Sequence, residues 1–302
     1  MRVVISGAGG GVGASVAFNL LVSGLECEVV TLDARANMLR SHSMDLEQVL
    51  EQGATGTLRE GDDGDVASAD VLVVTAAAPL TVNTSRMVYL EANAAILAPL
   101  LDRLPAGWGG TVIVVTNPVD PLCTWAARRT GLDRTRLLGY TLNDSLRLRT
   151  GIGTALGVAP GRVSAWAIGE HGDLAVPLWD RVAVDGRTVA LDDGQRASVE
   201  EFVSGWYVRH VALDSGRSST WTSGLGVSRM VRACVDPPGD ELWPASVMLE
   251  GEYGVDGVSL SVPVTLGGGA VRQITEWELS ESEREAMLAG ARFVRDAAAG
   301  LD

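Results

Sequence analysis

The sequence predicts an α/β fold: a doubly wound parallel sheet followed by an α+β region. Two observations support this prediction. Valine-rich apolar runs alternate with helical segments through the first 141 of the 302 residues, and antiparallel strand patterns replace them from residue 142 onward. Near-continuous apolar strands are typical of parallel sheets that helices cover on both faces. We therefore expect two domains, residues 1–141 and residues 142–302.

The first half contains four recognisable strands. Residues 2–6 (RVVIS) form the first, and the loop GAGGGVG leads from it into a helix whose apolar residues recur at helical spacing until Gly24. Three further valine-rich runs are predicted as strands: residues 27–34, 69–78 and 111–118.

Antiparallel strands are predicted in the second half, over residues 162–168, 182–191 and 259–267. The second of these contains an Asp-Gly pair, which favours a two-residue hairpin turn. Residues 280–299 are predicted as an amphipathic helix, because a serine cap and an acidic first turn (SESE) precede an apolar pattern of helical period.

Composition narrows the classes of partner. With a formal net charge of −14 the chain would repel nucleic acid and anionic membrane surfaces, so we expect neither as a partner. No segment reaches about 18 uninterrupted apolar residues. The first residues, MRVVISGAGG, lack the pattern of a targeting segment. We therefore expect neither membrane insertion nor export.

The three cysteines, Cys27, Cys123 and Cys234, are far apart in sequence, and no histidine stands near them at the spacing of a metal site. We therefore expect no bound metal and no disulfide framework. Three reduced thiols fit a cytoplasmic protein.

The loop GAGGGVG is a candidate phosphate-binding loop. Gly7, Gly10 and Gly13 stand between a strand and a helix, where a main chain without side chains can approach a pyrophosphate at the helix N-terminus. On the glycines alone, a tight turn with incidental glycines is an alternative. Asp33 ends the second predicted strand, where a carboxylate can accept hydrogen bonds from a ribose diol and repels a 2′-phosphate. The sequence therefore favours NAD over NADP as the cofactor.

Four further motifs follow in the chain: VTNPVDPL, TLNDSLRLR, GEHGDLAVPLW and LEGEYGVDGVSLSVPVTLGGG. With the glycine loop, and in this order, they resemble the NAD-dependent malate and lactate dehydrogenases from about residue 2 to residue 275. The resemblance implies a Rossmann-type NAD-binding domain followed by a substrate domain. It also implies hydride transfer between NAD(H) and a small anionic 2-oxo or 2-hydroxy acid, and a homodimer or homotetramer.

The resemblance implies roles for five residues. His171 corresponds to the catalytic histidine, Asp144 to its aspartate partner, and Arg147 to the arginine that binds the substrate carboxylate. Arg86 corresponds to the arginine of a mobile loop that polarises the carbonyl on closure. Asn117 corresponds to an asparagine beside both the carbonyl and the cofactor.

The reaction independently requires these residue types. Hydride transfer to a 2-oxo acid leaves an alkoxide, and a histidine can supply its proton near neutral pH. An aspartate carboxylate hydrogen-bonded to the other ring nitrogen of the histidine fixes its tautomer. An arginine can bind the carboxylate of the substrate through two parallel hydrogen bonds. Taken alone, His171 would be a surface histidine and TLNDSLRLR an exposed helix start capped by Asp144. His42 is interpreted as a residue on the polar face of a helix.

The loop that selects the substrate departs from the family. Its sequence is PLTVNTSR, residues 79–86, so Leu80 occupies the position where malate enzymes have arginine and lactate enzymes have glutamine. A second substrate carboxylate buried there without a cation would cost on the order of several kcal/mol. Ordinary malate dehydrogenase activity is therefore not expected. On the opposite wall, Arg217 stands where the family has glycine, and Ser219 where it has threonine or serine.

Two hypotheses about the substrate follow. Either Arg217 is solvated and the substrate side chain is uncharged, or Arg217 supplies the missing cation and the substrate is a dianion with a carboxylate, phosphonate or similar group. A non-catalytic NAD-binding module is an alternative of another class, but it would have no need of His171, Asp144 and Arg147 together. The distantly related NAD-dependent glycosidases would need a metal-binding set of Cys and His that the sequence does not offer.

Overall fold

The computed structural model describes residues 1–79, 86–237 and 239–301, and for Arg86 the main chain alone. Two predicted site features therefore lie outside the described residues: Leu80, at the substrate-selecting position, and the side chain of Arg86.

Six parallel strands form the first part of the sheet. They are β1 (Arg2–Ser6), β2 (Glu28–Leu32), β3 (Thr57–Glu60), β4 (Val71–Val74), β5 (Thr111–Val114) and β6 (Leu137–Tyr140). Their order is β3-β2-β1-β4-β5-β6, and all neighbours are parallel. The chain moves outward from β1, crosses back to β4 and moves outward again, which is the Rossmann topology. The predicted fold class is confirmed.

Helices lie between these strands: α1 (Gly11–Val22), α2 (Ala36–Glu51), α3 (Leu90–Leu101) and α4 (Val119–Thr130). Every residue of β4 and β5 is buried, as expected for strands covered on both faces. The valine-rich runs therefore mark the centre of the sheet, as predicted. The sequence analysis did not predict β3 or β6.

Antiparallel strands extend the same sheet in the second half. The elements there are α5 (Leu142–Leu156), β7 (Val163–Ser164), β8 (Ala167–Gly169), β9 (Ala175–Pro177), β10 (Ala183–Val184), β11 (Arg187–Thr188), α6 (Asp193–Ala212), α7 (Thr220–Val235), β12 (Leu242–Glu250), β13 (Asp256–Gly267), β14 (Ala270–Ile274) and α8 (Glu281–Ala299). β12 pairs with β6, with Ala245 opposite Tyr140. Eleven strands of the described chain belong to this sheet. Because it continues across residues 141 and 142, the two-domain division stays a prediction.

The predicted hairpin over residues 182–191 is confirmed. β10 pairs antiparallel with β11, and Asp185 and Gly186 form the turn with φ of +50° and +76°. The predicted strand over residues 162–168 is divided into β7 and β8, which belong to different sheets. Between them the carbonyl of Ala165 accepts from Arg149 Nε of α5 (3.1 Å).

The C-terminal helix is capped as predicted. α8 begins after Ser280, whose side chain accepts from the main-chain N–H of Glu283, while the Glu283 carboxylate accepts from the N–H of Ser280. This reciprocal capping box satisfies two main-chain N–H groups that have no acceptor within the helix.

The described residues contain neither a membrane-spanning helix nor a cluster of metal-binding side chains. No helix there is long and apolar enough to cross a membrane, and no group of three or more His, Cys, Asp or Glu side chains could hold a metal ion. The three cysteines are buried and form no disulfide.

Candidate active site

The glycine loop leads into the first turn of α1. The helix begins at Gly11, and its N-cap, Gly10, brings no side chain to the N–H groups of that turn. These groups can therefore bind an anion. At Gly7, where φ is +88°, an added Cβ would lie 2.4 Å from Ala76 N, and at Gly13 it would lie 2.5 Å from the carbonyl oxygen of Gly7. Only glycine fits these two positions, and the three predicted glycines lie together at this turn.

Asp33 binds the glycine loop from the end of β2. Its carboxylate accepts from the main-chain N–H of Gly9 (2.9 Å) and of Arg35 (2.8 Å), and Arg35 Nε lies 3.2 Å away. It lies with the three glycines in a cleft of about 1540 Å³. A carboxylate has about four acceptor sites, so Asp33 can also accept ribose hydroxyls. His42, on α2, is half-buried along the same cleft instead of facing solvent fully.

His171 and Asp144 form a buried pair. His171 follows β8, and Asp144 lies in the first turn of α5, which follows β6. Nδ1 of His171 is hydrogen-bonded to Oδ2 of Asp144. Because a carboxylate only accepts, this contact assigns a proton to Nδ1 and leaves Nε2 as the nitrogen that can exchange a proton with a substrate. The structure thus brings together the predicted histidine and its predicted partner.

Arg147 lies one turn further along α5. Its Nη1 is 3.3 Å from Asp144 Oδ1, and its Nη2 donates to Ser219 Oγ at 3.4 Å. Its Cζ lies 4.0 Å from the ring centroid of Trp206. A guanidinium stacked on an aromatic face keeps its N–H edge for in-plane hydrogen bonds. Arg147 is therefore able to hold a carboxylate close to His171.

Arg147 and His171 line a cavity of about 490 Å³. Asn117, which follows β5, also lines it, and its Oδ1 is buried with no hydrogen-bond partner among the described residues. Leaving such an atom unsatisfied costs about 1–3 kcal/mol, so the site favours a ligand that bonds to it. Val12 and Thr75 border both this cavity and the cleft of Asp33. A dinucleotide therefore has a continuous path from the glycine loop to His171.

Arg217 lies on the rim of the cavity. Its side chain is exposed, and its guanidinium carbon lies 5.3 Å from the ring of Trp221, which is itself exposed. His210 Nε2 donates to the main-chain oxygen of Arg217 (3.0 Å). Ser219 lines the cavity beside Arg147. Arg86 is the first residue of a 3-10 helix that ends at Tyr89.

Family models match both halves of the chain. Residues 1–139 match the NAD binding domain of lactate/malate dehydrogenase, and residues 141–297 match the alpha/beta C-terminal domain of the same family. The chain belongs to the lactate/malate dehydrogenase family. This dehydrogenase is an NAD-dependent 2-hydroxyacid oxidoreductase, so the predictions of family, enzyme class and cofactor are confirmed.

Lactate and malate enzymes are equally similar to this dehydrogenase. L-lactate dehydrogenase 1 of Bifidobacterium longum subsp. longum is 33% identical over 99% of this chain and 98% of its own. Malate dehydrogenase of Nitratiruptor sp. is 33% identical over 94% of this chain and 91% of its own. The structure of malate dehydrogenase from Salinibacter ruber matches with a TM-score of 0.87 at 28% identity, covering 100% and 97% of the two chains. Overall similarity therefore does not decide the substrate.

Three residues at this site had no role in the sequence analysis. Asp120 accepts a hydrogen bond from the main-chain N–H of His171. Trp206 stacks on Arg147, and His210 stacks on Trp206 with ring centroids 5.0 Å apart. Two signals were present: Asp120 is an acid within the apolar stretch VTNPVDPL, and Trp206 and His210 are four residues apart, on one face of a helix.

Proposed function

We propose that this dehydrogenase acts on a small 2-oxo/2-hydroxy acid with an uncharged side chain, using His171, Asp144 and Arg147 as its central residues. The observation that supports the catalytic part is their contiguity. Arg147 and His171 line one cavity, and Asp144 contacts both. Arg147 would grip the C1 carboxylate, which brings the adjacent carbonyl toward His171. Arg86 and Asn117 are assigned to the carbonyl, and Ser219 to the pocket wall, by their place in the family motifs.

His171 moves the proton in this proposal. When bound, NADH supplies the hydride to the substrate carbon. The substrate oxygen takes the proton from His171 Nε2 as its negative charge develops, and Asp144 stabilises the protonated ring through Nδ1. In the oxidative direction, the same nitrogen accepts the hydroxyl proton. The side chain of His171 is 4% exposed, so bulk water competes little for this proton.

The substrate side chain is proposed to be uncharged because, among the described residues, only Arg147 and Arg217 bring a guanidinium to the cavity. Arg147 is required for the C1 carboxylate, and Arg217 is exposed and stacks on Trp221. Leu80 offers no charge at the substrate-selecting position. A second carboxylate would be buried without a partner, at a cost on the order of several kcal/mol. The alternative, a dianionic substrate, is supported by one observation: Arg217 borders the cavity.

Leu80→Arg tests the uncharged side chain. We expect the wild type to reduce monoanionic 2-oxo acids better than oxaloacetate. Leu80→Arg should raise kcat/KM for oxaloacetate by roughly one to three decades, at about 1.4 kcal/mol per decade, because it pairs the second carboxylate. The measurement is NADH oxidation with pyruvate, oxaloacetate, and branched, aromatic and phosphonate-bearing 2-oxo acids.

Arg217→Gly is the matched variant on the opposite wall. If the substrate is a dianion, the wild type already turns it over. Arg217→Gly should then raise the KM for the dianion steeply and spare a monoanionic analogue. An equal effect on both substrates, or no effect, rejects Arg217 as the second cation. No turnover of any 2-oxo acid would favour the NAD-binding module.

Cofactor choice is expected to follow Asp33. The kcat/KM with NADH should exceed that with NADPH by at least roughly tenfold, because the carboxylate accepts from the ribose diol and repels a 2′-phosphate. Arg35 offsets this repulsion only in part, since its guanidinium is largely exposed and screened. Asp33→Ser should narrow the ratio, and Asp45→Asn, an acid of α2 in the same cleft, should leave it unchanged. Comparable use of both cofactors by the wild type would remove Asp33 from this role.

We further propose a cytoplasmic homodimer or homotetramer. α1 and α7 pack against each other and expose apolar side chains together, including Phe18, Val22, Leu225 and Trp221, the last 71% exposed. Large apolar patches on a protein surface mark contacts with other proteins. The three buried thiols fit a reducing compartment.

A further inference from the structure

A buried acid contacts the main chain of His171. Asp120 lies in the first turn of α4 and is 1% exposed. Its Oδ2 accepts a hydrogen bond from the N–H of His171. Oδ1 of Asp120 and Oγ of Ser246, on β12, are also buried, and neither has a hydrogen-bond partner in the part of the chain that the structure describes. Asp120 therefore bonds to His171 with one oxygen and leaves the other unsatisfied as a carboxylate.

The surroundings of Asp120 disfavour a negative charge. The titratable groups that face it are the buried carboxyls of Glu170 and Asp144 and the buried thiol of Cys123, and the main chain of His171 donates to it. Burial, and then the charge of Glu170, raises the pKa of Asp120 well above its usual value, although Ser246 and the N–H of His171 act in the opposite direction. The N-terminus of α4 also favours a carboxylate, but this effect is smaller than the loss of hydration on complete burial.

We propose that Asp120 is a positioning residue, a neutral carboxylic acid that fixes the main chain of His171 and so aims its ring at Asp144. One oxygen accepts the N–H of His171, and protonation makes the other oxygen a donor, for which the buried hydroxyl of nearby Ser246 is an acceptor without another partner among the described residues. A neutral Asp120 also adds no further negative charge beside His171, which would bind the transferable proton more tightly. The inference rests on the role proposed for His171.

Two substitutions test the positioning role. Asp120→Asn keeps the shape, an acceptor and a donor, and cannot ionise, so its kcat and the pH profile of its kcat/KM should match the wild type. Asp120→Leu leaves the N–H of His171 buried without an acceptor, so kcat should fall about 10- to 100-fold while the Kd of NADH is unchanged. Asp120→Ala, which adds no bulk, should show the same loss even if the leucine variant fails to fold.

Two results would overturn the positioning role or the neutral form. Wild-type kcat in Asp120→Ala would show that Asp120 does not position His171. A displacement of the pH profile by about one unit in Asp120→Asn would show that the native acid is ionised, since removal of a nearby charge shifts the titration of the proton donor.

Stability against pH tests the neutral form without the reaction. Because the pKa of Asp120 is raised in the folded state, the unfolded chain loses this proton first, and the wild type loses stability as the pH rises above the ordinary value of 3.8 toward the folded pKa. Asp120→Asn removes this loss. The ratio of its folding constant to that of the wild type should therefore rise by up to about tenfold per pH unit from about pH 5 until the pH reaches the folded pKa of Asp120.

Asp102→Asn is the matched control with the opposite sign. Hydrogen bonding from Arg129 lowers the pKa of Asp102, so the wild-type carboxylate adds stability above its unfolded pKa and the variant loses it there. A flat or falling ratio for Asp120→Asn would overturn the neutral acid. If the ratio rises while His171→Asn keeps its turnover, the proposed role of His171 is wrong and the neutral form of Asp120 stands.

Discussion

His171→Asn is expected to lower kcat by about three decades and to leave the Kd of NADH unchanged. Asparagine cannot release and regain a proton near neutral pH, and general acid catalysis contributes roughly 10² to 10⁴ in rate. Most contacts with the dinucleotide are expected from elsewhere, because the glycine loop and Asp33, the proposed cofactor residues, lie in the adjoining cleft. Steady-state NADH oxidation gives kcat, and a fluorescence titration gives the Kd.

Asp144→Asn and His42→Asn complete this experiment. Asp144→Asn should be slow but less severe than His171→Asn, because the amide favours the wrong tautomer while the ring remains. His42 lies on α2, outside the cavity of His171, and its substitution should keep the wild-type kcat. Near-normal kcat in His171→Asn with any 2-oxo acid would show that the assignment of the proton donor is wrong.

The centre of the sheet could be predicted because burial there covers both faces. β4 and β5 are four-residue runs of buried residues, and such runs stand out in the sequence. β3 has the sequence TLRE and lies at the sheet edge, where no apolar run is needed. β12 is nine residues long but contains Pro244, which normally argues against a central strand. The structure pairs Pro244 with Pro263 of β13, so the two residues without an N–H face each other.

The site could be predicted as far as its residues lie in contiguous motifs. His171, Asp144 and Arg147 belong to two such motifs, and the structure brings them together. The contact of Trp206 with Arg147 depends on how α6 packs against α5, and no local pattern encodes it. The position of Arg217 likewise depends on the chain around it, which is why the sequence left two alternatives open.

Arg147→Leu is expected to lower kcat/KM for a 2-oxo acid by about three decades. The C1 carboxylate would be buried without its partner, which costs about 2–5 kcal/mol at about 1.4 kcal/mol per decade. Arg147→Lys should recover roughly one decade, because it restores the charge but not the two parallel N–H groups or the stacking on Trp206. The Kd of NADH should stay at its wild-type value in both variants.

The loss in Arg147→Lys should appear mainly as weaker binding, in the KM of the 2-oxo acid and in the inhibition constant of oxamate, which carries the same carboxylate and cannot be reduced. Arg149→Lys is the matched control: it lies on the same helix, but its Nε donates to the carbonyl of Ala165 and takes no part in the proposed site. Equal losses in the two lysine variants would indicate general damage to α5. An unchanged oxamate constant in Arg147→Lys, with the control active, would show that the carboxylate is held by a charge alone and not by the planar fork of Arg147.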